Sequence, residues 1–341
     1  MSASDSNPNE PLRICVYGLG AIGGHAAVKL ARAGADVCAI ARGETLNAIA
    51  ARGLTLRAEA HADMTVPLKV ASDAEAFGVQ DVVVIAVKLP ALPEVLRKAR
   101  PLIGPDTAVI FMMNGMPWWF MEGLPLGFDK EPVYRMLDGT GELRGLLPIE
   151  QWVHCSISSG NRVLEPGLVL NESPGHNRMK LGYWDGRRTA VLDRFAALAA
   201  QGGYEAEAVS DIRRPIWGKL LINAGISATS AIVERNVHET VSDPDTRSIV
   251  VEVMREILAI GEAIGIRVEA DPVAMTDPAN VPPHVTSFLQ DLQAGRRLEI
   301  SNGILGVREI ARARGVAAPH LETVAALLAS RSEVEARARE G

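Results

Sequence analysis

The stretch "LRICVYGLGAIGGHAAVKLARAGADVCAIAR", residues 12–42, decides the fold. It opens on apolar strand formers, passes through a glycine-rich turn, runs on with helical apolar spacing and closes on a second apolar strand. That is a βαβ unit, with Gly18, Gly20 and Gly23 spelling GxGxxG at the strand-to-helix turn. In that setting the first glycine allows the tight turn, the second lets backbone approach a pyrophosphate, and the third lets the helix pack on the strand. The helix N-terminus then offers its N–H groups and dipole to the phosphates. Glycine turns also serve as plain connections, but this one is framed as a dinucleotide site, and Gly18, Leu19, Gly20, Ala21, Ile22 and Gly23 are its expected cofactor loop.

The end of the second strand bears on which dinucleotide binds. An acidic residue there accepts from the ribose 2′-hydroxyl of NAD, whereas a cation there matches the 2′-phosphate of NADP. This chain has Arg42, whose guanidinium suits phosphate bidentately, so NADP (as NADPH) is the expected cofactor. The competing readings are a solvated arginine and a ribose contact from Glu44. Two further apolar runs, "DVVVIAVK" and "AVIFMMNG", reach Lys88 and Asn114 where they give out. In an open parallel sheet the carboxyl ends of strands line the ligand crevice, so both residues are expected to face the cofactor; a strand-end cap and a turn former are the plainer alternatives.

With 341 residues, 48% of them hydrophobic, the chain has material for one large or two ordinary domains. The net charge of −6 is dispersed, with no basic stripe, which argues against nucleic acid and anionic membrane surfaces. Its apolar runs fall short of a membrane span and its polar start lacks an apolar signal core, so a cytoplasmic protein acting on small molecules is expected. Cys15, Cys38 and Cys155 lack metal or disulfide spacing and read as small core residues; no metal is expected. The sequon at 171–173 carries no weight without secretion.

Residues 130–205 read as shorter, partly antiparallel strands, and the remainder as helices. Asp243 and Pro244 look like an N-cap and first helical position, followed by Val250, Val253, Ile257, Ile260 and Ile264 at intervals of three and four. Apolar helix faces of this kind bury against the same chain or a second copy, which leaves a homodimer open. The expected layout is a disordered leader over 1–11, a dinucleotide-binding domain over 12–207 and an all-helical domain over 208–335. Within "WGKLLINAGIS" (217–227), Lys219, Asn223 and Ser227 stack on one helix face at intervals of four. Taken alone, the pattern fits a solvated stripe with a snorkelling lysine.

The glycine fingerprint, the strand reaching "VK", the strand reaching "NG", the helix with "KLLINAG" and the later "SFLQDLQAGRRLEISNG" together resemble the ketopantoate reductase family over residues 12 to about 330. The resemblance implies a Rossmann-type α/β domain followed by a helical one, and NADPH-dependent reduction of the C2 ketone of a 2-oxoacid in pantothenate synthesis. It implies Gly18, Gly20 and Gly23 as the pyrophosphate loop, Arg42 as the 2′-phosphate contact, and Lys88 and Asn114 beside the cofactor. It makes Lys219 the general acid, with Asn223, Ser287 and Glu299 at the substrate; Asp291 falls on an acidic position of unassigned role. Ser227 and Ala228 stand where many members carry a second asparagine and a proline, and Ser227 is counted as a substrate contact.

The chemistry of the residues agrees. Hydride delivered to a ketone leaves charge on oxygen, which a positioned lysine can protonate; desolvation favours its neutral form and a nearby Glu299 its ammonium. Ser287 has the S-x-x-Q spacing of a capping box with Gln290, and Glu299 could pair with Arg296 or Arg297 on the surface. Trp118 and Trp119 either reshape the substrate cleft or pack under a loop. Two other functions remain: a 2-hydroxyacid dehydrogenase of the same fold with another substrate, and a non-catalytic dinucleotide-sensing module.

Overall fold

Apolar runs become strands buried on both faces. The structure, a computed structural model, describes residues 10–340 apart from 60, 125, 126 and 140, with side chains to residue 333. Most of the leader expected over 1–11 lies outside the described residues. The chain forms two compact units, one of residues up to Asn114 with 142–212, the other of Gly115–Gly141 with Arg213 onward.

The first unit holds twelve described strands: β1 (Arg13–Tyr17), β2 (Asp36–Ile40), β3 (Leu54–Ala58), β4 (Met64–Val66), β5 (Lys69–Ala71), β6 (Val82–Ile85), β7 (Ala108–Phe111), β8 (Trp152–Ser158), β9 (Asn161–Glu165), β10 (Leu168–Asn171), β11 (Arg178–Tyr183) and β12 (Glu205–Ala208). Eight form one sheet in the order β12-β11-β8-β7-β6-β1-β2-β5, parallel throughout except at β8 with β11. Every residue of β6 and β7 is buried, as expected of central parallel strands covered on both faces. Each such valine or isoleucine stabilises the fold by about 1.5–3 kcal/mol relative to exposure.

From β1 the chain crosses through α1 (Ala21–Arg32) to β2 and β5, then returns to the other side of β1 as β6. This reversal is a topological switch point, the place where open α/β sheets bind ligands. A smaller sheet, β4-β3-β10-β9, packs on α1. There Asn171 is 2% exposed and its amide donates to the Gly160 carbonyl and Asn161 Oδ1, so the sequon asparagine is committed to a buried network. The three cysteines are buried, and Cys15 and Cys38 lie side by side across β1 and β2.

In the second unit a helical column runs from Arg213 to Val233, and it is not one regular helix. It begins as an α-helix (Arg213–Leu220), widens into a π-helix (Leu221–Ser227) and returns to α over Ala228–Val233. The column is long and apolar enough to cross a membrane, contrary to the expectation that no segment is, yet 67% of its apolar 18-residue stretch is buried inside the fold. Its neighbour Pro244–Ala263 is capped by Asp243, whose Oδ1 accepts from the Asp245 and Thr246 N–H groups at 3.1 Å. A second π-helix, Ser301–Leu305, contains a kink at Gly303 and packs against the first. The long helix Pro319–Glu340 closes the described chain.

The division differs from the expected 12–207 and 208–335, because 115–141 leave the α/β unit for the helical one. The Phe120 ring stacks on Trp217 at 5.8 Å, and Arg213 donates to the carbonyls of Phe120 and Glu122 at 2.9 and 2.5 Å. A buried aromatic cluster recruits the segment, and sequence adjacency does not show it.

Candidate active site

In the α/β unit the glycine turn fits a dinucleotide by the space it leaves. Gly18 has φ +101°, and a Cβ there would meet the Ala86 carbonyl oxygen at 2.8 Å, so the turn lies directly on the backbone that follows β6. A Cβ on Gly23 would fall 1.9 Å from the Gly18 carbonyl oxygen, which keeps helix and turn in contact. A Cβ on Gly20 would meet nothing within 4 Å, leaving the approach to the α1 N-terminus open. Gly20 is the N-cap of α1, and no acidic side chain occupies its first turn to compete for the free N–H groups and positive dipole end. Leu19 is buried, while Ala21 and Ile22 are half-buried at the start of α1.

Arg42 lies two residues beyond β2, exposed, as N-cap of α2 (Gly43–Arg52). Its Nη2 is 3.7 Å from Glu94 Oε1 on α3 (Leu92–Ala99), and Glu94 also pairs with Lys98, which holds its carboxyl below the usual range. Glu44 lines a groove of about 440 Å³ with Asn47, Ala48, Ala51, Arg52, Glu165 and Pro166, none of them from the glycine turn. Lys88 is not the last residue of its strand. β6 ends at Ile85, and Lys88, exposed, caps a 3-10 turn over Leu89–Ala91 that accommodates Pro90. Asn114 is exposed beyond β7, the last residue of this unit on that pass of the chain.

In the helical unit the expected α-helical stripe is corrected. Lys219 lies in the last turn of the α-helical part, whereas Asn223 and Ser227 belong to the π-helix, whose i→i+5 hydrogen bonding widens the turn. Lys219 and Asn223 are half-buried and Ser227 is 7% exposed, so the row descends into the fold and the fully solvated reading fails. Ile222, 44% exposed, sits between Lys219 and Asn223.

Two other elements converge on the π-helix. The helix Ser287–Gln293 packs against it with Ser287 exposed at its first turn. The capping-box reading of Ser287 is off by one: Thr286 is the N-cap, its hydroxyl accepting from the Leu289 N–H at 3.2 Å. Glu299, half-buried between Leu298 and Ile300, leads into the second π-helix. Arg296 pairs with Asp291 at 2.6 Å. Trp118 and Trp119 are 1% and 0% exposed, so neither walls an open cleft; Arg213 lies 5.5 Å over the Trp119 ring. The π-helical register escaped sequence reasoning, while the burial of the tryptophans agrees with the packing alternative offered for them. The only signal for the first was the small-residue run Ala224, Gly225 in an otherwise helical pattern.

The glycine turn at a switch point marks a dinucleotide-binding α/β unit, and the helical unit carries a lysine, an asparagine and a carboxylate of its own. Residues 14–117 match the family model "Ketopantoate reductase PanE/ApbA" and residues 211–332 match "Ketopantoate reductase PanE/ApbA C terminal". A 2-dehydropantoate 2-reductase of Mesorhizobium japonicum is 33% identical over 324 residues, 93% of this chain and 97% of that one. The chain belongs to the ketopantoate reductase family, and its activity is that of an oxidoreductase acting on a CH–OH group, 2-dehydropantoate 2-reductase-like. Among solved structures, the 2-dehydropantoate 2-reductase of Geobacter metallireducens GS-15 is 27% identical with a TM-score of 0.77, covering 94% of this chain and 99% of that one. A D-mandelate dehydrogenase with NADH and anilino(oxo)acetate shares the fold at 19% identity and a TM-score of 0.78, covering 95% and 99%.

Proposed function

We propose that this protein reduces the C2 ketone of a 2-oxoacid with NADPH, with Lys219 as the proton donor. The observation that carries the reading is the convergence of the segments bearing Ser287 and Glu299 on the π-helix that follows Lys219 and contains Asn223. When bound, the reduced nicotinamide supplies hydride to the carbonyl carbon. Lys219, half-buried, then hands a proton to the carbonyl oxygen, while Asn223 orients that oxygen or a neighbouring hydroxyl by hydrogen bonding. Ser287, exposed at the first turn of its helix, receives the substrate carboxylate through its hydroxyl. Glu299 supports the ammonium form of Lys219 by its charge. Gly18 to Gly23 hold the pyrophosphate, with Lys88 and Asn114 at the cofactor and Arg42 on its 2′-phosphate.

A second reading concerns the substrate. Beside Asn223 the column offers exposed Ile222, and one turn further the buried hydroxyl of Ser227, so the polar surface for a hydroxylated side chain is small. This supports a 2-oxoacid or 2-hydroxyacid with a less polar side chain, on the fold that also carries a D-mandelate dehydrogenase.

The experiment is NADPH oxidation by purified protein across a panel of 2-oxoacids including ketopantoate, repeated with Lys219→Ala. The variant loses about 10²- to 10⁴-fold in kcat and keeps its NADPH affinity within a few fold. Near-normal kcat in Lys219→Ala removes the lysine from the chemistry.

A further inference from the structure

We infer that Ser332 is a positioning residue: it holds the segment that carries Glu299 and so sets where that carboxylate lies. The inference rests on the role proposed above for Glu299.

In the helix Pro319–Glu340 the inward positions recur at three and four as Leu321, Val324, Ala325 and Leu328, all buried. The next inward position is Ser332, 5% exposed, a hydroxyl where the spacing asks for an apolar side chain. A polar group in that setting needs a partner to offset its burial. The partner here is the backbone of a distant segment: the Ser332 Oγ accepts the Leu298 N–H at 3.2 Å, across 34 residues of sequence.

Leu298 is the residue before Glu299. Residues 296–300 belong to no helix or strand, so their backbone has no regular ladder to fix it and depends on contacts with other elements. Leu298 and Ile300, 5% and 8% exposed, anchor the segment by apolar burial on either side of the half-buried Glu299. Apolar burial is non-directional, whereas a hydrogen bond to a peptide N–H fixes the register of the segment against the helix. The residue before Ser332 extends the brace: Arg331 Nη1 donates to the Ile232 carbonyl at 3.2 Å and Nη2 pairs with Glu234, at the far end of the column that carries Lys219 and Asn223. Two consecutive residues of one helix thus hold the Glu299 segment and that column. Without the hydroxyl the buried Leu298 N–H loses its acceptor, and the segment must move to find another. A shift of about 1 Å in a catalytic group costs on the order of 10² in rate.

The test is a double-mutant cycle of Ser332→Ala with Glu299→Gln in the full chain, read as NADPH oxidation with the best 2-oxoacid of the panel. Expected are a kcat lowered at least about tenfold by Ser332→Ala, a KM changed less than kcat, unchanged NADPH affinity, and a kcat within about twofold of parental in Ser332→Thr, which keeps the acceptor. In the Glu299→Gln background Ser332→Ala is expected to change kcat by less than about twofold, because the group it positions is already gone. If Ser332→Ala does not fold, Ser332→Cys carries the same cycle, since it nearly keeps the volume and offers only a weak acceptor. Parental kcat in Ser332→Ala overturns the inference. An equal fold-loss in both backgrounds also overturns it, because the serine would then support the fold at large and not Glu299. The failures separate: parental kcat in Glu299→Gln removes the carboxylate from the chemistry and this inference with it, whereas a low kcat in Glu299→Gln beside parental kcat in Ser332→Ala removes only the role of Ser332.

Discussion

The Asn302 carbonyl accepts the Met116 N–H at 2.6 Å, while the Asn302 side chain lies so close over Gly115 that a Cβ there would be 2.6 Å from its Nδ2. Gly115 has φ +85°. The start of the segment that joins the helical unit is thus pinned on the second π-helix, at the residue before the Gly303 kink. Gly115→Ala combines left-handed backbone, worth about 1–2 kcal/mol against a side chain, with a clash that includes the Asn302 backbone oxygen at 2.7 Å. The variant is expected to unfold several degrees lower in a thermal scan and to lose activity. An unchanged melting temperature would show that the segment adapts.

Arg42 is expected to select the phosphorylated cofactor. Arg42→Ala weakens NADPH binding by about 1.5–3 kcal/mol, the scale of a hydrogen bond to a charged group, and leaves NADH nearly unchanged. Glu94→Gln removes the carboxylate 3.7 Å from Arg42 Nη2 and is expected to tighten NADPH only slightly, as an exposed pair allows. Titration of both cofactors by fluorescence decides it, and a wild type that prefers NADH ends the idea.

Ser227 is expected to govern how far the side chain of the substrate is read. A serine hydroxyl reaches less far than an asparagine amide and cannot offer the same donor and acceptor pair. Wild type is therefore expected to favour apolar 2-oxoacids over ketopantoate in kcat/KM, and Ser227→Asn to shift the ratio toward ketopantoate by about tenfold or more. If wild type turns over ketopantoate at about 10⁴ M⁻¹s⁻¹ or faster, the serine is no obstacle.

His25, on α1, is fully buried; its Nδ1 lies 2.5 Å from the Tyr204 hydroxyl, and its Nε2 has no hydrogen-bond partner among the described residues. Burial, helped by the charge of Lys29, pushes its pKa down to about 3. The unfolded chain takes up that proton near pH 6.5 and the folded chain does not, so stability is full above about 6.5 and falls as the pH drops toward about 3. Urea denaturation at pH 7 and pH 5 should show the loss in wild type and a smaller one in His25→Gln. Equal pH sensitivity in the two would assign the effect to other groups.

What was legible in the sequence follows from how local the determining physics is. Gly18, Gly20 and Gly23 could be read because turn, helix start and strand are contiguous and each glycine answers a short-range demand. The row from Lys219 to Ser227 was visible as a spacing, but its π-helical hydrogen bonding and the packing of Gly225 on Met254, a residue of another helix, were not. Trp118 and Trp119 could be read only as cleft wall or buried packing, because a contact such as that of Arg213 over the Trp119 ring joins residues far apart in sequence. The capping alternative weighed for Ser287 fell one residue off, since Thr286 offers the same chemistry.

The segment 115–141 has a further consequence for how the molecule is made. Met116 emerges from the ribosome long before Asn302, and Phe120 long before Trp217, so the helical unit closes only late in synthesis. Contacts of such high sequence separation pay their loop-closure entropy before any packing rewards them, which slows folding. Until then Trp118, Trp119 and Phe120 are a sticky apolar segment in the nascent chain. A fragment beginning at Arg213 would lack the aromatic half of its own core, so the helical unit is not an excisable module even though most of it is contiguous in sequence.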